Sequence, residues 1–376
     1  MPTGVCVRLL LVAAWAWIAM AAAIGAAAQS STSGRLKSPR LAEIARGSAP
    51  IPDTLLDSRP MRALAPSGFW GGDYQTPSGE TVTVYASNSY VVDPALGQRW
   101  ADFLASLLHG SELASVTVLL ATPDEIEHIC GGFAVACYDE APAVAGPCAR
   151  CHSSARRGLL YAPGEDPSPD LSAEAVITHE YGHHVAAHRS NAPWLALDRG
   201  PKRWASSMQV CANARAGRLA PGAEDPIAYK LNPGEGWAET YRVLNERRFG
   251  LPEAPWQIVS DSLYPDEAAL TAAEQDVTAP WQRATTTARA ASLTRTTRAR
   301  TYTIATKLDG TLKLALRPSA GLRVTLDVYA SGRRVLHTVA ARAIARTTTI
   351  CGARSYRIRV TATRGSGSVR LTVAEP

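Results

Sequence analysis

Only 19% of the 376 residues are charged, and beyond residue 28 there is no apolar run long enough to cross a bilayer. The low charge, set beside 46% apolar residues, excludes a chain kept unfolded by its own repulsion and leaves enough material for a sizeable core. The lack of further apolar runs excludes a multi-span membrane protein. No twin arginine precedes the one long apolar stretch, which points to the general secretory route rather than the twin-arginine one. That stretch follows Arg8, runs from Leu9 into Ala28 and closes on the small residues Ala26, Ala27 and Ala28 before Gln29. It is expected to be a signal peptide over 1–28, an uncleaved anchor being the alternative, so the chain is expected outside the cell, secreted or held at its surface.

Seven cysteines are present, and loss of Cys6 with the signal leaves six: Cys130, Cys137, Cys148, Cys151, Cys211 and Cys351. An even number in an exported chain points to disulfides. Six cysteines allow 15 pairings; the cheapest joins Cys130 to Cys137 and Cys148 to Cys151, leaving Cys211 with Cys351. Cys148-Ala149-Arg150-Cys151-His152 also matches the C-x-x-C-H haem attachment pattern, and Cys130, Cys137, Cys148 and Cys151 form a set for structural zinc. A Pro- and Gly-rich loop without a helix to present His152 disfavours haem, and an oxidising compartment disfavours the four-cysteine site.

A length of 376 residues suits a catalytic domain plus an accessory module. Residues 29–66, rich in Ser, Pro, Ala and Arg, read as a linker or short propeptide. Within 67–279, Thr81 to Tyr85 reads as a strand, Pro94 to His109 as an amphipathic helix, Ser115 to Leu120 as a strand, Cys130 to Arg157 as a loop and Gly158 to Ala162 as a strand. Ser168-Pro169-Asp170 is a helix-start signal leading into Leu171 to Arg189. Helical pattern returns over Trp204 to Ala214 and Gly236 to Arg247, with Asn232-Pro233-Gly234 as a turn before the latter. Residues 280–376 alternate Thr, Arg, Val and Leu between Gly and Ser turns, as a small β-sandwich does. The expected fold class is therefore α+β, followed by an all-β sandwich.

Charge divides along the same boundary. Residues 281–376 carry 18 cations against 3 acids, a net of +15, which leaves −9 for the remainder of a chain whose total is +6. A basic module on an acidic partner favours anionic polymers at a cell surface, the plain alternative being a solvated arginine-rich face. Export argues against nucleic acid as the partner. The expected form is a monomer.

The chemistry lies in His179-Glu180-Tyr181-Gly182-His183, an H-E-x-x-H sequence. Four residues advance a helix by about 400°, so both imidazoles share one face a turn apart and can reach one Zn2+. Glu180, one step round, is placed to take a proton from water rather than to ligate. A catalytic zinc needs a third protein ligand, and Glu235 and Glu239 offer two carboxylates on one helical face. The bland alternative is a solvent-facing glutamate pair. The extended H-E-x-x-H-x-x-G-x-x-H pattern is absent: Ala186 and Arg189 stand where Gly and His are needed, so His188 is read as a surface or supporting histidine. On a straight helix it sits about 140° round from His183. Asp198 is a weaker candidate ligand, since no Gly-Thr-x-Asp setting surrounds it.

At these residues the chain resembles the gluzincin zinc metallopeptidases. The resemblance covers about residues 80–250 and implies a zincin-like catalytic domain, with His179, His183 and Glu235 as zinc ligands and Glu239 bracing a ligand histidine. It implies Glu180 as general base and hydrolysis of protein or peptide substrates. Tyr229 and Tyr241, flanking the third-ligand segment, are candidates for stabilising the oxyanion, core packing being the alternative for each. Two other readings are open: a cell-surface binding protein with a vestigial zinc site, and a zinc hydrolase of non-peptide amides.

Overall fold

Alternation in Thr81–Ser87 sends Val82, Val84 and Ala86 into one core and Tyr85 into another, so this strand belongs to a sheet covered on both faces. A computed structural model of the chain describes residues 68–131, 134–141, 157–225, 228–352 and 354–376. The expected signal peptide, the 29–66 segment and the Cys148–Cys151 motif lie outside the described residues.

Strands β1 (Phe69–Gln75) and β2 (Thr81–Ser87) pair antiparallel. After helix α1 (Pro94–Ser106), strand β3 (Val116–Leu120) lies parallel to β2. Helix α2 (Pro123–Cys130) and strand β4 (Cys137–Ala141) follow, and β5 (Arg157–Ala162) then inserts between β3 and β4. The sheet order is β1-β2-β3-β5-β4, with β4 antiparallel at the outside. Trp100 and Leu104 of α1 pack with Val118 and Leu160 on one face, and Ile126 and Ile129 of α2 with Leu119 and Tyr161 on the other. Strand β4 stands inside the stretch expected as a loop over Cys130 to Arg157, and α2 ends at the first residue of that stretch. The Cys130–Cys137 disulfide ties the end of α2 to the start of β4.

Helix α3 (Ala173–Ala187) starts later than the Ser168-Pro169-Asp170 signal suggests. Ser168 and Leu171 instead form a bridge, and Ser172 is the cap, its hydroxyl accepting from Ala175 N at 3.1 Å. The expected helix over Trp204 to Ala214 is two pieces. After α4 (Ala196–Arg199) come α5 (Lys202–Ser207) and α6 (Val210–Arg215), broken at Gln209, whose φ of 53° cannot continue a helix. Helix α7 (Pro233–Phe249) includes Pro233 and Gly234, which are not a turn ahead of it. Asn232 is its cap, Pro233 fills the first turn where no amide donor is needed, and Gly250 ends it at φ 66°. Helix α8 (Glu267–Thr278) is the last helix before the strands that follow.

The remainder is all β: β6 (Thr285–Leu293), β7 (Ala299–Thr306), β8 (Gly310–Pro318), β9 (Arg323–Ala330), β10 (Arg333–Ala340), β11 (Ile344–Ile350), β12 (Arg354–Arg364) and β13 (Gly367–Glu375). They form two antiparallel sheets, β10-β9-β12-β7 and β11-β8-β13-β6. Leu314 and Leu371 of one sheet share a core with Leu326 and Ile358 of the other. Each such buried side chain contributes roughly 1.5–3 kcal/mol. The protein is thus α+β with a C-terminal β domain.

The two parts are joined by more than the chain. Cys211 of α6 is disulfide-bonded to Cys351 after β11. Lys202, fully buried, donates to the Ala192 carbonyl at 2.6 Å and across the junction to the Asp309 carbonyl at 2.9 Å, with Trp281 4.7 Å from its ammonium. Ser206 Oγ accepts from Asp309 N at 2.9 Å. A truncation near residue 280 would leave Cys211 without its disulfide partner and Lys202 without the Asp309 carbonyl.

Candidate metal centre

Helices α3 and α7 are buried nearly all round, and they meet because small residues let them. A Cβ on Gly182 would stand 2.9 Å from Ala238 Cα, so only glycine permits this approach. Trp237 Nε1 donates to the Gly182 carbonyl at 2.8 Å and fixes the crossing. At the start of α7, Gly234 faces the Leu197 carbonyl, where a Cβ would collide. These contacts bring the first turn of α7 over the His179–His183 face.

His179, His183 and Glu235 each present one ligand atom, all within 4.8 Å of one another. Glu235 Oε2 lies 3.3 Å from His179 Nε2 and 3.2 Å from His183 Nε2. Ligand atoms 2.0–2.1 Å from a tetrahedral zinc are about 3.3 Å apart, so these separations match two edges of its coordination shell. His179 Nδ1 is 2.8 Å from Glu239 Oε1. With its Nδ1 proton donated to that carboxylate, His179 faces the Glu235 oxygen through Nε2, a contact satisfied by a second ring proton or by a shared cation that replaces it. The donor set fits Zn2+.

The charges of the cluster depend on one another. Burial opposes charge on His179, yet its bonds to Glu235 and Glu239 lift its pKa to about 10. Burial likewise opposes ionisation of Glu235, but the two histidines hold its carboxyl far below the ordinary range. Glu180, 8% exposed, is pushed up by burial against the pull of both histidines.

Behind Glu239 runs a chain of charge that the motifs do not single out. Arg242 Nε and Nη2 donate to the two Glu239 oxygens at 3.0 and 2.7 Å, and its Nη1 donates to both Glu246 oxygens at 2.8 and 2.7 Å. Burial again works against Glu239, while His179 and Arg242 bring its pKa down to about 2. The E-x-x-R-x-x-x-E spacing of one helical face was the available signal.

The tyrosines part company. Tyr229 donates to Glu235 Oε2 at 2.8 Å, so its hydroxyl stands at the donor cluster. Tyr241 does not: it is fully buried and donates to the Leu108 carbonyl at 2.5 Å. Two residues past Glu239 is about 200° round the helix, the opposite face, which removes Tyr241 as an oxyanion partner.

His184 contacts Tyr138 Oη at 3.2 Å and the Glu112 carbonyl at 2.9 Å, and His188 contacts Ser115 Oγ at 3.1 Å. Both point away from the cluster. Gly158 leaves room for Tyr138 and His184, and Tyr138 of β4 stacks with His183 at a ring separation of 6.4 Å. Asp198, in α4 beside Gly222, is outside the cluster of three.

Comparison with known protein families found no match, and comparison with curated proteins found none. Among solved structures, the chain is similar to the pre-peptidase C-terminal domain of collagenase from Bacillus anthracis, at 16% identity over 23% of this chain and 87% of that one, with a TM-score of 0.21. It is also similar to the Yersinia pseudotuberculosis-derived mitogen, at 8% identity over 25% of this chain and 87% of that one, with a TM-score of 0.20. No helix among the described residues is long and apolar enough to cross a membrane.

Proposed function

We propose that this chain is a secreted zinc-dependent metallopeptidase of the gluzincin kind, with a zincin-like catalytic domain over 67–279. The observation that carries the reading is the convergence of His179, His183 and Glu235 at tetrahedral-edge distances, with Glu239 behind His179. Zn2+ held there would polarise the scissile carbonyl and acidify the attacking water. Glu180 takes the proton of that water and passes it to the leaving amine. Glu239 and Arg242 keep the His179 ring in one tautomer and orientation. Tyr229 is the candidate donor to the developing oxyanion.

A peptide substrate is preferred to a compact amide because the resemblance carried by His179, Glu180, His183 and Glu235 is to peptidases. The two described disulfides suit an oxidising compartment, and with the N-terminal apolar run they support export.

The test is hydrolysis of casein by the purified mature protein, with and without a chelator, beside metal analysis. Chelator-sensitive cleavage restored by zinc is expected. A zinc-loaded protein inert on casein and on peptides, yet active on small non-peptide amides, would overturn the peptide assignment. One inert on all of them would leave the binding-protein reading.

A further inference from the structure

The β domain holds only three acids against its 18 cations, and two of them face the junction. Asp309 is 2% exposed and accepts from the Gly352 amide, and Glu375 lines the cleft of about 950 Å³ between the two parts. Asp327 is left; on the outer side of β9 it is bonded to His337 at 2.7 Å, lies 3.5 Å from Arg334 and stands opposite Arg359. One carboxylate among these arginines lowers the positive field of the outer surfaces without cancelling it.

Its two outer sheet faces differ in chemistry. On β10-β9-β12-β7, alternation turns Leu326, Val328, Ile358 and Val360 inward and Tyr329, Arg357 and Arg359 outward. The register sets Tyr329 opposite Arg334 on one side and Arg357 on the other. Three neighbouring strands thus present Arg, Tyr, Arg in one row, the arginines separated by two strand spacings, about 9.5 Å. The Arg357 guanidinium lies 5.1 Å from the Tyr329 ring centroid. Thr301 and Thr303 of β7, opposite Arg359 and Arg357, are exposed and extend the rows with hydroxyls. On the other sheet, Arg317 and Arg370 are paired across strands and Lys313 is nearby, but no aromatic residue joins them.

We infer that the outer face of β10-β9-β12-β7 is a docking surface for a linear anionic polysaccharide bearing carboxylate or sulfate groups. Guanidinium forks match such oxyanions in paired hydrogen bonds. An aromatic ring between them offers a flat apolar platform for a sugar ring, and the threonines reach its hydroxyls. A lipid surface fits less well, because the exposed apolar residues beside this face, Val335 and Val339, are too small to anchor a bilayer contact. A nucleic acid strand fits less well, because successive bases need several stacking rings and this face holds one. The inference is independent of the peptidase assignment.

The test uses the full mature chain, with polygalacturonate and sulfated dextran as probes and neutral dextran as control, at about 0.05 M and about 0.3 M salt. Binding to at least one polyanion and not to neutral dextran is expected, weakening with salt. Arg334→Gln with Arg357→Gln and Arg359→Gln should weaken it at least about tenfold, and the equally charged change Lys313→Gln with Arg317→Gln and Arg370→Gln by less than about threefold. Tyr329→Ala, which alters no charge, should weaken binding several-fold and Tyr329→Trp should restore it; unchanged thermal unfolding confirms that each variant is folded. Equal losses from the two triple variants with Tyr329→Ala silent would reduce the effect to general charge and overturn the site. So would absence of binding at low salt, or tighter Tyr329-dependent binding to single-stranded DNA or to anionic phospholipid vesicles.

Discussion

Replacing Gly182 by Ala adds one methyl group to the middle of the histidine motif and touches no ligand. Its Cβ would stand 2.9 Å from Ala238 Cα and 3.2 Å from both the Ala238 carbonyl oxygen and Tyr241 Cβ. Carbon atoms in ordinary contact are about 3.5 Å apart or more, so α3 and α7 must separate by about 0.6 Å. No rotamer can relieve the clash, because its partners are backbone and Cβ atoms. The shift carries Glu235 away from the histidines and lengthens the Trp237-to-Gly182 hydrogen bond. Metal sites tolerate about 0.2 Å in ligand distance, a third of that movement. Overpacking costs about 1–3 kcal/mol, while alanine regains about 0.8–1 kcal/mol of helix propensity, so global stability should fall by no more than about 2 kcal/mol. Zinc affinity is the sensitive readout and should drop about 10- to 100-fold, the scale on which misplaced supporting residues act. Competition against a chromophoric chelator measures it, with thermal unfolding in excess chelator as the stability control. A Gly182→Ala protein that binds zinc as tightly as the parent would refute the link between helix approach and ligand geometry.

Glu180→Gln should keep zinc and lose turnover by about 10²–10⁴-fold, as checked by metal analysis beside peptide cleavage. Glu235→Ala should weaken zinc binding far more than Glu239→Ala, whose loss is expected at about 10- to 100-fold; chelator competition on both variants ranks them. Arg242→Met leaves Glu239 and Glu246 buried without their shared cation and should cost about 3–5 kcal/mol in chemical denaturation. Restoration of most of that loss by adding Glu246→Gln would trace it to the stranded carboxylates.

Where local signals and tertiary needs coincided, the elements were readable. Val82 and Val84 alternate because they share one of the two cores that cover β2, and the helical pattern over Gly236 to Arg247 shows the body of α7, although its cap and first turn at Asn232-Pro233-Gly234 read as a separate turn. Elsewhere tertiary context decided. Ser168 carries as good a cap as Ser172, but only Ser172 leaves Leu171 free to bridge back and lets α3 begin against the sheet. Gln209 breaks a helical pattern through a left-handed conformation that no periodicity reveals. Strand β4 hides among cysteines and glycines, since its partner β5 lies beyond a long excursion. The candidate ligands were visible because helical spacing alone places His179 and His183 together. Glu235 needed the resemblance, and Arg242, Gly182 and Trp237 emerged only when α3 and α7 were seen to cross. Tyr241 misled because a position near a ligand in sequence is not a position on the same helical face.

The link between Cys211 and Cys351, 140 positions apart in the sequence, closes the chain between them into a covalent ring. The connection from α8 to β6 runs inside that ring. A single cut anywhere between residues 212 and 350, whether from maturation, a neighbouring protease or the protein's own activity, opens the ring without parting its ends. The halves stay tethered until the disulfide is reduced. A nicked molecule would keep its candidate metal-binding residues tied to the β domain, and two fragments on a reducing gel would be one particle on a non-reducing one.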